Sequence, residues 1–250
     1  MIKFFRKIRY DLMEKNKTGK YLKYAIGEIV LVVIGILIAL QINIWNQHRI
    51  AKAKEFSLYE KIIINLEHED RILDTAMITF KKHLDSYDHI FNETIGKASY
   101  DSINIIYNDL RWNNIYDLIV TNKHKAFFSE ISTDKITELL NEKINQETKL
   151  LQANSSFNVF KNEKAKSFLE KHGILDSKTI FALEKYKFSP FSYTNIILYD
   201  KLKLQYGTIE FDQLLAILRV KTSWAISNLE ALMRKNNEIQ IALEEELLRN

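Results

Sequence analysis

Twelve consecutive residues, Ile29 to Leu40 (IVLVVIGILIAL), carry no polar side chain, and no other feature constrains the chain as much. A heavily basic segment precedes the run, and a long charged sequence of helical period follows it. A strictly apolar run of this length falls short of the ~20 residues that a membrane helix needs. Widened to Ala25–Trp45, the window admits only Glu28, Gln41 and Asn43 as polar residues. All three lie off-centre, where a polar side chain reaches a headgroup layer. Each Leu, Ile or Val favours insertion by ~0.3–0.6 kcal/mol, so the run outweighs them. Tyr21 and Tyr24 flank one end and Trp45 the other, as an aromatic belt does. The expectation is a single transmembrane helix over residues 25–45; the alternative is a buried helix of a soluble protein.

A cleaved signal peptide fits less well. The charged leader is long for such a peptide, and Ile38-Ala39-Leu40-Gln41 is not a small-x-small cleavage site. Eight basic residues (Lys3, Arg6, Lys7, Arg9, Lys15, Lys17, Lys20 and Lys23) precede the span, whereas Arg49, Lys52 and Lys54 are the nearest after it. The positive-inside rule then places the N-terminus in the cytoplasm and residues beyond Trp45 outside the inner membrane. Within the leader, residues 1–24, Ile2, Phe5, Ile8 and Leu12 fall at helical spacing among cations. That pattern suits either an amphipathic helix lying on an anionic leaflet or a merely cationic topogenic tail.

Residues 46–250 read as an extracytoplasmic helical domain. One Pro and six Gly in 250 residues are too few for a turn-rich β protein. Zero Cys excludes disulfides, thiol catalysis and a lipid anchor at cysteine. The net charge of +4 resides mostly in the leader, so no basic face for nucleic acid is expected.

Phe56, Tyr59, Ile63, Leu66, Asp70, Leu73, Met77, Phe80, Leu84, Tyr87 and Phe91 follow one another at steps of three and four, and only Asp70 breaks the apolar pattern. No Gly or Pro intervenes between Trp45 and Ile95, so the membrane helix is expected to continue outward as one helix, with Gly96 as its stop. Shorter pieces follow over Tyr100–Asn122, with Ile103, Ile106, Tyr107, Leu110, Ile115, Leu118 and Ile119 as core candidates. Ser132 or Thr133 caps the next long helix, whose stripe is Ile136, Leu140, Ile144 and Leu151 and which runs to Gly173. Asp176 or Ser177 caps a short helix to about Lys187, Ser189-Pro190 marks a loop, and Tyr193–Tyr206 is helical. Thr208 caps the last helix, with Phe211, Leu215, Leu218, Thr222, Ala225, Leu229, Leu232, Asn236, Ile239 and Leu243 as its stripe. The expected fold is all-α: a transmembrane helix continuing into a long-helix antiparallel bundle with modest loops.

The segment Met1–Asn46 resembles the N-terminus of a Bacteroidota family known as domain of unknown function 6090. Tyr24–Ile29 (YAIGEI) and Ile34–Asn46 (IGILIALQINIWN) match that family's pattern closely, with Ile44 at its variable position. Over Trp112–Leu140 and the last helix the likeness is looser. The resemblance implies a membrane protein of Gram-negative bacteria and carries over no activity, cofactor or catalytic residue.

Candidate functional residues each have a bland counterpart. Glu28 is an acid at the edge of the span, where ionisable residues are functional candidates, though it can also reach the interface or pair with Lys23. Gly35 and Ala39 form a small-xxx-small pair that allows close helix approach, a pair also common by chance. Asp70 on the apolar stripe is a candidate for setting bundle register, or else the helix rotates it into water. Glu67, His68, Glu69 and Asp70 point in different directions on a helix and read as a solvated face, not a metal site. Asp85 and His89 read as a surface pair, and Glu244–Glu246 near a helix C-terminus are expected to fray into water.

No catalytic, metal or cofactor motif emerges, so an enzyme is not expected. The favoured reading is a structural or interaction component of an envelope complex, touching membrane lipids and either a second copy or another envelope protein. The alternative is a ligand-sensing module that signals through a membrane partner.

Overall fold

A computed structural model of the chain describes residues 10, 18–100, 106–111, 130–182 and 196–249. The expectations for the leader, for Ile103, Ile115, Leu118 and Ile119, for Ser189-Pro190 and for Tyr193 lie outside these residues. The protein is all-α, and the described residues contain no strand, only an isolated bridge between Leu175 and Ile197. Helix α1 spans Thr18–Thr94 and a 3₁₀ turn spans Ile106–Leu110. Helix α2 (Asp134–Phe160) passes through a π-helical turn, Lys161–Ala165, into α3 (Lys166–Lys171). The short α4 (Ser177–Ala182) and α5 (Tyr199–Lys203) precede the long α6 (Ile209–Leu248).

The chain divides into two units, Met1–Ser57 and Leu58–Asn250. In the first, every residue from Ile29 to Trp45 is exposed, so no face of this apolar helix is covered by the described chain. One helix is therefore long and apolar enough to cross a membrane, with mean hydropathy 2.6 in its best window.

In the second unit burial begins at Leu58. Leu66, Leu73, Phe80 and Tyr87 of the expected α1 stripe are buried, whereas Phe91 is exposed. All ten expected stripe positions of α6 are buried. On α2 the stripe is corrected. Leu151 is exposed, and the core face runs through Ile136, Leu140, Lys143, Glu147, Leu150, Asn154, Phe157 and Lys161.

Cross-helix contacts fix directions. Lys135–Glu245, Glu142–Lys235 and Ser156–Lys221 pair α2 with α6 in opposite senses. Asp70–Asn236 and Asp88–Arg219 do the same for α1 and α6. Tyr59–Thr133, Glu69–Lys143 and Phe80–Phe157, however, advance together along α1 and α2, so these two helices run parallel. This departs from the fully antiparallel expectation. Parallel neighbours need a crossover instead of a modest loop, and residues 95–133 supply its length.

The helix ends follow local chemistry. Gly96 (φ 69°) and Gly173 (φ 60°) adopt the left-handed conformation. After each, an amide bonds back into the last turn, Lys97 N–H to Asn92 and Ile174 N–H to Leu169, which closes a Schellman motif. Thr208 Oγ1 accepts the Phe211 N–H at 3.3 Å and caps α6, and Asp176 accepts from Lys178 and Thr179 ahead of α4. Thr133 precedes α2 without a side-chain cap; its hydroxyl instead accepts from Tyr59 at 3.1 Å. Glu244–Glu246 do not fray, because α6 stays helical to Leu248, where Glu246 meets Arg249 at 2.7 Å and Glu245 meets Lys135.

Candidate functional site

Polar side chains occupy the core at two levels. The first is a layer across the three long helices. Lys143 is wholly buried on α2, donates to Glu69 of α1 at 2.9 Å, and contacts Glu147 one turn along its own helix. Burial pushes the Glu69 carboxyl up, and Lys143 opposes that shift. Beside it, Asp70 accepts from Asn236 at 2.7 Å and from Gln240 at 3.4 Å, both on α6. Burial raises Asp70 as well, against these two hydrogen bonds. A buried ammonium is tolerated here because two carboxylates meet it.

The second level centres on Asp109, in the 3₁₀ turn. Its Oδ2 accepts from Ser86 at 2.5 Å, and its Oδ1 lies 3.4 Å from Nδ1 of His83. Its backbone carbonyl accepts from Tyr87 OH at 3.1 Å and from Lys161 Nζ at 2.6 Å. Lys161 opens the π turn and also lies 5.3 Å from the Phe157 ring. Burial drives the Lys161 amine down to about 7, against the opposing pull of Asp109. Burial lowers His83, and it lowers Arg111, two residues beyond Asp109, to about 10. Burial would raise Asp109, yet His83, Ser86 and Lys161 together hold it below the ordinary carboxylate value.

Next to this centre, Glu93 gathers phenols. Tyr107, Tyr199 at 3.2 Å and Tyr206 at 2.8 Å all donate to its carboxylate, and His89 Nε2 lies 3.1 Å away. The rings pack on one another, with Tyr100 and Tyr199 stacked at 3.8 Å. Burial first, and Glu93 second, raise Tyr199 and Tyr206 above the usual phenol range.

The expected site residues are scattered. Glu28 is partly buried; Gly35 and Ala39 are exposed, and a Cβ at Gly35 would meet nothing within 4 Å. Asp70 sits at the edge of the seam, half-buried and hydrogen-bonded, and is neither a bare core acid nor a solvated one. His68 is exposed, and among the described residues no three His, Asp or Glu side chains group to hold a metal. His89 faces Glu93 rather than completing a surface pair with Asp85. Lys143, Glu147, Lys161, His83, Glu93, Asp109 and Arg111 are absent from the sequence reading. Extending the α2 alternation through its polar positions would have found Lys143, Glu147 and Lys161.

Chemically, these assemblies bind the protein to itself. The Lys161 amine is aimed at a carbonyl, and the Glu93 carboxylate is filled by phenolic hydroxyls. Together they tie the 3₁₀ turn and the Tyr199–Tyr206 region to α1 and the π turn. A separate open groove of about 610 Å³ lies between α2 and α6, lined by Leu151, Val159, Phe160, Ser156 and Lys221. No protein-family model, curated protein or solved structure matches the chain.

Proposed function

We propose that the protein is a single-pass, membrane-anchored helical bundle that serves as a structural or interaction component of an envelope complex. One observation carries the reading: the helix from Ile29 to Trp45 is exposed on every face and almost wholly apolar. Such a surface is stable in lipid and costly in water. The leader's cations orient the anchor N-in, so the three-helix bundle lies on the far side of the inner membrane. The motif resemblance at Tyr24–Ile29 and Ile34–Asn46 points the same way. The polar layers support a scaffold role, since their members are engaged with one another. Alkaline extraction should leave the protein in the membrane pellet, and a periplasm-only reporter fused after Asn250 should be active. Release into the alkaline supernatant, or activity of a cytoplasm-only reporter alone, contradicts the reading.

A second reading, an extracytoplasmic sensor signalling through a membrane partner, is favoured by the groove beside Leu151 and Lys221. A small molecule that raises the unfolding midpoint, and loses that effect in Lys221→Glu, would support it.

A further inference from the structure

We propose that the stretch Trp45–Phe56 is a binding surface for anionic phospholipid head groups. The proposal rests on the membrane-anchor reading and names the lipid chemistry met at the C-terminal end of the span. Trp45, Arg49, Lys52 and Phe56 recur at steps of four, three and four, so they share one face of α1. The Arg49 guanidinium lies 5.5 Å from the Trp45 ring centroid, and the Lys52 ammonium lies 5.4 Å from that of Phe56. Arg49 also donates to Asn46 at 3.3 Å. Each cation is thus held against an aromatic ring on the same face while staying exposed. Exposed His48 flanks the ladder, while exposed Lys54 lies on the opposite side of the helix.

No acid occurs from Ile29 through Lys54; Glu55 is the first. The turns that follow the apolar run therefore present a positive face on which Glu55, three residues from Lys52 at the far end, is the one carboxylate. The ladder is short, roughly 16 Å at 1.5 Å per residue, and it starts where the apolar run ends. The anion it meets at that depth is the phosphate layer of the bilayer. Amphipathic rings settle in this layer, and juxtamembrane cations favour lipids with net negative charge. Nucleic acid or an acidic protein would need the same cations to stand clear of the membrane surface.

The test uses the full chain reconstituted in vesicles of phosphatidylcholine and phosphatidylglycerol. Trp112→Phe and Trp224→Phe leave Trp45 as the sole tryptophan. Bromine is placed on the acyl chains of one lipid or the other, and quenching of Trp45 reports which lipid surrounds it. Brominated phosphatidylglycerol should quench several-fold more than its mole fraction predicts. Arg49→Gln with Lys52→Gln, or high salt, should bring the two lipids level. Equal quenching by both lipids in the parent chain overturns the headgroup proposal and leaves the anchor intact. Selectivity that survives Arg49→Gln with Lys52→Gln also overturns it. Quenching by neither lipid removes the anchor reading itself. Should the tryptophan substitutions disturb folding, mass spectrometry of lipid retained after mild detergent extraction replaces quenching. The parent should then hold more phosphatidylglycerol than the Arg49→Gln, Lys52→Gln chain, and equal retention counts against the proposal.

Discussion

Helices α2 and α6 follow the same three-four alternation, yet they bury different chemistry. The core face of α6 is mostly apolar, with Thr222, Asn228 and Asn236 as its polar exceptions. That of α2 alternates Ile136, Leu140, Leu150 and Phe157 with Lys143, Glu147, Asn154 and Lys161. An apolar face is stable against any apolar neighbour, because the hydrophobic effect has no direction. A polar face is stable only where particular partners meet it, because an unpaired buried charge costs several kcal/mol. Thus α6 can serve as a general packing surface, while α2 specifies which residues of α1 and of the 3₁₀ turn lie against it.

The contrast is most sharply broken at Lys143. Lys143→Met leaves buried Glu147 and partly buried Glu69 without their cation and should destabilise by ~3–5 kcal/mol. Adding Glu147→Met and Glu69→Gln should recover most of the loss. Urea unfolding of the detergent-solubilised chain measures both, and an unchanged midpoint in the single variant would mean that Lys143 reaches water.

Lys161 brings a pH signature that α6 lacks. Its folded-state pKa of about 7 lies below the ordinary lysine value of 10.5. Between these values the unfolded chain binds the proton and the folded chain does not, so stability rises with pH across that window. The cost is full below pH 7 and disappears progressively toward 10.5. Integrated over such a shift, the climb is on the order of 5 kcal/mol. Thermal unfolding of the parent and of Lys161→Met from pH 7 to 9.5 should show the slope in the parent and a flatter curve in the variant. Parallel curves would sink the assignment.

On α6, Leu229→Ala should cost about 3 kcal/mol, the ordinary price of a core cavity, with no pH dependence. A pH-dependent loss would show that α6, too, is specified by polar partners.

The smallest effect is expected at Asp70. Asp70→Leu removes an acid that burial disfavours, but it also strips Asn236, which is wholly buried, of its acceptor. The two changes oppose, so the single variant should stay within about 1 kcal/mol of the parent. Asp70→Leu with Asn236→Leu should exceed the single variant in stability, since both polar partners go together. A double variant less stable than the single would show that Asn236 has a further role in register.

How much was legible in the sequence differs by element. Unbroken apolar character over Ile29–Leu40, the alternation of α6, the stops at Gly96 and Gly173 and the cap at Thr208 are local. Each concerns residues within a turn or two of one another, and its physics is complete at that range. What only tertiary packing decided is long-range. Lys143 and Glu69 are 74 residues apart, and Lys161 and Asp109 are 52 apart. The α2 alternation puts Lys143, unlike the solvated Lys149, on the buried face, but only the fold brings up Glu69, the second carboxylate that makes a buried ammonium tolerable there. The parallel course of α1 and α2 is of the same kind. An amphipathic stripe specifies which side of a helix is buried, and it is silent on direction. Direction is decided by which polar partners the crossover brings into register.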